Sequence, residues 1–160
     1  MADLVRARPG RLARRGVDGG PVREFLVFVL AGELYAVELT RIREIVSPPP
    51  ITVVPRAGRE VIGVCSVRGL LVTIVDLRRR LRLQESPATR RTRILLAQAD
   101  SGEVVGLLVD EVRQVLRLGE PEIEIANSVL GGEVSEHVLG IGRPQGMIVI
   151  LLDLSAIVSS

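Results

Sequence analysis

Fifteen residues in the middle of the chain, GVCSVRGLLVTIVDL at 63–77, return without a gap as GIGRPQGMIVILLDL at 140–154. Gly63 and Gly69 align with Gly140 and Gly146, and Asp76-Leu77 align with Asp153-Leu154. Upstream, YAVELTRIREIV at 35–46 is echoed by VGLLVDEVRQVL at 105–116. The repeating unit is roughly 70–80 residues, and two copies are too few for a solenoid. The chain therefore reads as two similar small folds packed together.

Each unit runs through apolar stretches, a Gly turn and a strand ending in Asp-Leu. Hydrophobic residues make up 47% of the chain but aromatics only 2%, so Val, Leu and Ile carry the core. Branched aliphatics in short runs favour strands. Short strands punctuated by Gly and Pro predict small barrels rather than a parallel sheet. The expectation is an all-β chain of two five-stranded barrel lobes with short helical segments. The first lobe is expected at 23–88 and the second at 89–160, with a basic surface bridge at 78–93 between them. Strands are expected at 24–30, 34–39, 94–98, 104–109 and 147–154. Ile42, Ile45 and Val46 have helical or bulged spacing, ITVVP at 51–55 reads as a short strand or edge, and Val129–Gly140 has turn chemistry.

The basic pI of 9.4 comes from uneven placement of charge. Residues 1–23 hold six Arg and two Asp. That segment has little to bury, so 1–22 is expected to be a disordered Arg-rich tail. Residues 24–93 carry 12 Arg against seven acids, and 94–160 carry three Arg against ten acids. No apolar run approaches the ~18 residues of a membrane span. The single cysteine, Cys65, has no partner for an internal disulfide, which fits a cytoplasmic setting.

Little in the chain suggests catalysis, which needs a nucleophile, an acid or base and an orienting group. His137 is the sole histidine and falls in a loop-like stretch; Cys65 alternates within an apolar strand. No His/Cys cluster has zinc spacing. GIGRPQG lacks the Lys-Ser/Thr ending of a phosphate loop, and its repeat partner lies between strands. The alternating Glu120, Glu122 and Glu124 read as a solvated strand face. Single-strand nucleic-acid binding stacks bases on aromatics, and two Phe and one Tyr are poor material for it. An SH3-like nucleic-acid binder with an Arg-rich arm is the alternative of another class. The expectation is a non-enzymatic protein without cofactor, metal or small-molecule substrate, whose surface is its function.

EFLVFVLAGELYAVELTRIREIV, VIGVCSVRGLLVTIVDLRRRL, VVGLLVDEVRQVL and LGIG…GMIVILLDL together resemble the CheW family of chemotaxis coupling proteins, in order from Glu24 to Val158. The resemblance implies two SH3-like lobes around a shared apolar seam. It implies a non-catalytic cytoplasmic adaptor in receptor clusters of a motility pathway. Its partners would be the cytoplasmic tip of a methyl-accepting chemoreceptor, the regulatory domain of a histidine kinase, and other CheW-like copies in rings. Carried over, the receptor groove falls on Leu39, Ile42, Glu44, Gly63, Arg68, Ile94 and Gly106; no residue is assigned to the kinase. The family's usual Asn-Leu-Arg-Gly is here Ser66-Val67-Arg68-Gly69, and its following proline is Thr73. Those departures bear on the kinase contact and keep a second version open, an accessory scaffold that joins arrays without the kinase. Arg68 is then a receptor-side anchor on a tight turn, expected to pair with Glu44.

Overall fold

The two aligned Gly turns have the same backbone. Arg68 and Gly69 have φ of 52° and 81°, and Gln145 and Gly146 have φ of 53° and 83°. Two successive positive φ values are what the tightest hairpin turns require, so the position before each glycine is left-handed as well. The aligned Asp-Leu pairs also do one job. Asp76 Oδ1 accepts the Arg78 N–H at 3.0 Å, and Asp153 Oδ1 accepts the Ser155 N–H at 3.1 Å. Each aspartate thus satisfies an orphan donor at a helix start, and the leucine after it, Leu77 or Leu154, is buried.

The computed structural model describes residues 21–125 and 136–158. Strands β1 (Val22–Leu30) and β2 (Glu33–Glu38) form a hairpin and lead through a 3-10 turn at Leu39–Arg41 to β3 (Ile42–Val46). There follow β4 (Val61–Val67), β5 (Leu70–Asp76), helix α1 (Leu77–Arg80), β6 (Arg93–Gln98) and β7 (Val104–Val109). The chain continues through β8 (Glu111–Gly119), a 3-10 turn at Glu120–Glu122, β9 (Ile123–Ile125), β10 (Val138–Gly142), β11 (Val149–Leu152) and helix α2 (Leu154–Val158).

These strands make two sheets, ordered β3-β6-β7-β5-β4 and β8-β1-β2-β11-β10-β9. The lobes therefore do not follow the two sequence copies. Each copy gives its first hairpin to one sheet and then crosses to the other, after β2 in the first copy and after β7 in the second. The expected division at residue 88 fails for that reason: lobe 1 spans roughly 42–109 and lobe 2 takes β1 and β2 with β8 to β11. The exchange keeps the repeat symmetry. Parallel β5–β7 pairs Thr73 with Val105, and parallel β11–β2 pairs Ile150 with Tyr35, the aligned residues of the other copy.

Other expectations are adjusted. Among the described residues, lobe 1 has the expected five strands, but lobe 2 has six. The basic stretch 78–93 joins β5 to β6 inside lobe 1, so it does not bridge the lobes. Ile42 to Val46 is a strand with a bulge between Ile42 and Glu44. Within 51–55 only Thr52 makes a bridge, to Val64. Val22 pairs with Gly119 and belongs to β1; residues 1–20 of the expected tail lie outside the described residues, as does 129–135 of the expected turn region.

Burial follows the two sheets and their seam. Phe25, Val27, Ala36, Leu118, Val149 and Leu151 fill lobe 2. Cys65, Val72, Ile74, Ile94 and Leu96 fill lobe 1. A third cluster joins them, with Leu26, Phe28 and Val37 from one side and Leu77, Leu95 and Leu107 from the other. Burying an aliphatic or Phe side chain contributes roughly 1.5–3 kcal/mol, so the seam is a continuous core and not a loose contact.

Candidate functional site

Glu44 and Arg68 meet. The Arg68 Nε lies 3.0 Å from both carboxylate oxygens of Glu44, and the same guanidinium makes a second, shorter contact through its terminal nitrogen. Arg68 is 74% exposed and Glu44 30%. Glu44 is on β3 and Arg68 is on the β4–β5 turn, so the pair links the two edges of the five-stranded sheet. The hydrogen bond from Arg68 holds the Glu44 carboxyl below the ordinary carboxylate range, and Glu44 in turn raises Arg68.

Sequence spacing alone would not join these two edges; the small residues behind them do. Glu44 pairs with Leu96, Leu96 with Gly106, Gly106 with Ile74, and Ile74 with Gly63, one row through all five strands. A Cβ on Gly106 would lie 2.6 Å from Ile74 and 2.9 Å from Ile94, and a Cβ on Gly63 would lie 2.1 Å from the Thr52 carbonyl oxygen. The row is tight because two of its members have no side chain. Of the seven residues carried over from the resemblance, Glu44 and Arg68 stand at the surface, and Leu39 and Ile42 are half-buried at the edge of the seam. Gly63, Ile94 and Gly106 are buried and offer no surface to a partner. Gly63 and Gly106 lie in the strand row that starts at Glu44, and Ile94 packs where a Gly106 Cβ would be.

Reading the sequence position by position missed an apolar feature that the repeat alignment reveals. Leu70 and Leu71 are 63% and 76% exposed, and their aligned residues, Met147 and Ile148, are 37% and 60% exposed. Val53 at 72% and Ile125 at 65% occupy corresponding edges, beside β4 and β10. Each lobe thus presents apolar side chains just beyond its hairpin turn. The signal was an apolar dipeptide directly after the turn in both copies, where hairpin tips are usually polar.

Charge also sorts by lobe. Residues 39–109, essentially lobe 1, carry 12 Arg against six acids; residues 22–38 and 110–158 carry four Arg against 11 acids. The exchange of hairpins sharpens the asymmetry that the linear halves already suggested. Among the described residues, no three His, Cys, Asp or Glu are grouped to hold a metal ion, and no helix is long and apolar enough to cross a membrane. Burial pushes the Cys65 thiol up, away from the thiolate a nucleophile needs. His137 is held below its ordinary value by burial and then by Arg80, in a cleft of about 530 Å³ that both Arg59-Glu60 and their aligned Glu136-His137 line. Glu120 and Glu122 lie in a 3-10 turn and only Glu124 in a strand, where it pairs with Arg143 at 2.8 Å. They do not form the expected strand face.

The CheW-like domain family matches residues 24–160. The chain is 30% identical to the chemotaxis protein CheW of Rhizobium meliloti over 92% of its own length and 94% of that protein. It is likewise 30% identical to CheW of Bacillus subtilis, covering 84% and 85% of the two chains. Protein FrzA of Myxococcus xanthus is 29% identical, with 79% and 78% covered. Among solved structures, the scaffolding protein TtCheW of Thermoanaerobacter tengcongensis superposes with a TM-score of 0.77 at 26% identity, over 86% of this chain and 93% of that one.

Proposed function

Because the chain belongs to the CheW-like domain family, we propose that it is a non-catalytic adaptor of a bacterial chemosensory array, coupling the cytoplasmic tips of chemoreceptors to a histidine kinase. Its relatives are named chemotaxis and scaffolding proteins. The observation that carries the receptor half is the exposed Glu44–Arg68 pair, an arginine fork fixed by a carboxylate beside the half-buried Leu39 and Ile42. An arginine ordered before binding loses less freedom on docking, and arginines desolvated at interfaces are frequent hot spots.

The apolar tips support the second half. Two similar faces at the two lobes suit a body that has a neighbour at each end, and such contacts close into rings or extend. A basic lobe and an acidic lobe favour head-to-tail approach to a similarly built partner, the kinase regulatory domain or another copy. An adaptor of this kind works where receptor tips cluster, in the cytoplasm. Binding to a purified receptor cytoplasmic fragment and to the kinase regulatory domain, measured separately, tests the reading. Affinity for both is expected, with the kinase contact weakening as salt rises from ~50 to ~500 mM because exposed charges are screened. Binding to the receptor alone would favour an accessory scaffold that joins arrays without the kinase, and binding to neither would end the adaptor reading.

A further inference from the structure

Each crossover between the lobes is pinned by one charged side chain, and the two pins have opposite polarity. At the second crossover, Asp110 accepts the Ala31 N–H of the β1–β2 turn at 2.8 Å and the Arg78 Nε of α1 at 2.9 Å. At the first crossover the charge is reversed. Arg41 donates to the Gln98 carbonyl at 3.0 Å and to Asp100 at 2.8 Å, both at the β6–β7 turn, and to the Ser155 hydroxyl of α2 at 3.1 Å. Ser155 is the residue aligned with Arg78, and the β6–β7 turn is the counterpart of the β1–β2 turn. The pins tie the same pairs of elements in the two copies.

Their surroundings differ. Arg41 ends the 3-10 turn Leu39–Arg41 and is followed by Ile42, so it stands between two of the residues proposed to meet the receptor. No residue of that set flanks Asp110 or Arg78. We infer that Arg41 is a positioning residue for the receptor surface: by holding lobe 1 through Gln98 and Asp100 and lobe 2 through Ser155, it fixes the backbone that presents Leu39 and Ile42 at the mouth of the seam. The inference rests on the adaptor reading. Arg41 uses Nε and both terminal nitrogens on three residues, which a lysine ammonium cannot reproduce in the same geometry.

The test compares equivalent lesions in the full chain, with the receptor cytoplasmic fragment as probe. Arg41→Ala should weaken receptor affinity about tenfold and raise amide hydrogen exchange at Thr40 to Ile42 while the melting temperature moves by a few degrees. Arg41→Lys should recover only part of the affinity. Ser155→Ala, which removes one partner of the guanidinium, and Asp100→Asn, which removes the charge of another, should give smaller losses in the same direction and serve if Arg41→Ala fails to fold. Arg78→Ala should lower the melting temperature more, yet leave the affinity of the folded protein within about twofold. Unchanged affinity in Arg41→Ala, or equal losses in Arg41→Ala and Arg78→Ala, would overturn the inference while leaving the adaptor reading intact. Wild-type protein that does not bind the fragment would remove both.

Discussion

The two hairpin tips share a backbone and differ in chemistry. Lobe 1 turns on Arg68-Gly69 and lobe 2 on Gln145-Gly146, with φ values that agree within two degrees. The residue aligned with Glu44 is Gln114. Where lobe 1 joins its sheet edges with a carboxylate and a guanidinium, lobe 2 therefore has two neutral amides. The fold evidently needs neither charge, because the second lobe forms without them. What both lobes keep is the left-handed turn, the bulge next to Gly63 or Gly140, and the exposed apolar pair beyond the turn. Common features build the barrel or face neighbours at either end, and the ion pair distinguishes one end from the other.

The strongest test of that equivalence is at the bulges. A Cβ on Gly63 meets the Thr52 carbonyl oxygen at 2.1 Å, and one on Gly140 meets the Glu124 carbonyl oxygen at 2.4 Å. Backbone cannot step aside as a side chain can. Gly63→Ala and Gly140→Ala should each cost about 3 kcal/mol or more, measured by denaturant midpoint. A large cost at one glycine and none at the other would break the symmetry on which the comparison rests.

The crossover pins should give intermediate effects. Arg78 and Asp110 are 15% and 30% exposed, so Asp110→Asn should cost about 1.5–3 kcal/mol at neutral pH, the range for hydrogen bonds to charged groups. Burial pushes the Asp110 carboxyl up, but the hydrogen bonds from Arg78 and Ala31 outweigh it and hold the group below the ordinary aspartate value. Its contribution is therefore present above the unfolded value near pH 4 and disappears as pH falls through the lower folded value. Wild type should lose stability on acidification, and Asp110→Asn should lose less. Parallel acid profiles for the two proteins would show that the pin does not titrate with folding.

Much of this architecture was legible in the repeat. The aligned Gly turns and the Asp-Leu ends depend on local chemistry and on matching the two copies, whereas the Arg68–Glu44 pairing, absent from the second copy, was expected only through the resemblance to the CheW family. The exchange of hairpins between lobes was not legible, because parallel pairs such as Thr73 with Val105 join residues far apart in sequence, and nothing local at residue 88 reveals which sheet the next strand enters. Buried Ile94 and Gly106 look like any other strand residues until the row Glu44, Leu96, Gly106, Ile74, Gly63 is assembled across five strands. The exposed Leu71 and Ile148 defeat a pattern reading for a different reason. Ile148 continues the apolar alternation of the seam residues Ile150 and Leu152 past the point where the seam ends, and Leu71 stands at the aligned position, separated from the seam residue Val75 by Thr73.

The smallest effect should come from moving the ion pair. Gln114→Glu with Gln145→Arg would give lobe 2 the chemistry of lobe 1, and an exposed pair of this kind contributes only about 0–1 kcal/mol. The melting temperature should move by a few degrees at most. A large gain would mean that the pair is a structural clasp in lobe 1 as well, which would weaken its reading as a docking feature.

The most direct test makes lobe 1 resemble lobe 2. Arg68→Gln places the aligned residue of the second copy on the same turn, and the affinity of the variant for a purified receptor cytoplasmic fragment is compared with wild type. The account predicts a melting temperature within a few degrees of wild type and a loss of at least about tenfold in receptor affinity, as for truncation of an interfacial arginine hot spot. Unchanged affinity in a stably folded Arg68→Gln protein would contradict it and leave Arg68 an ordinary solvated turn charge.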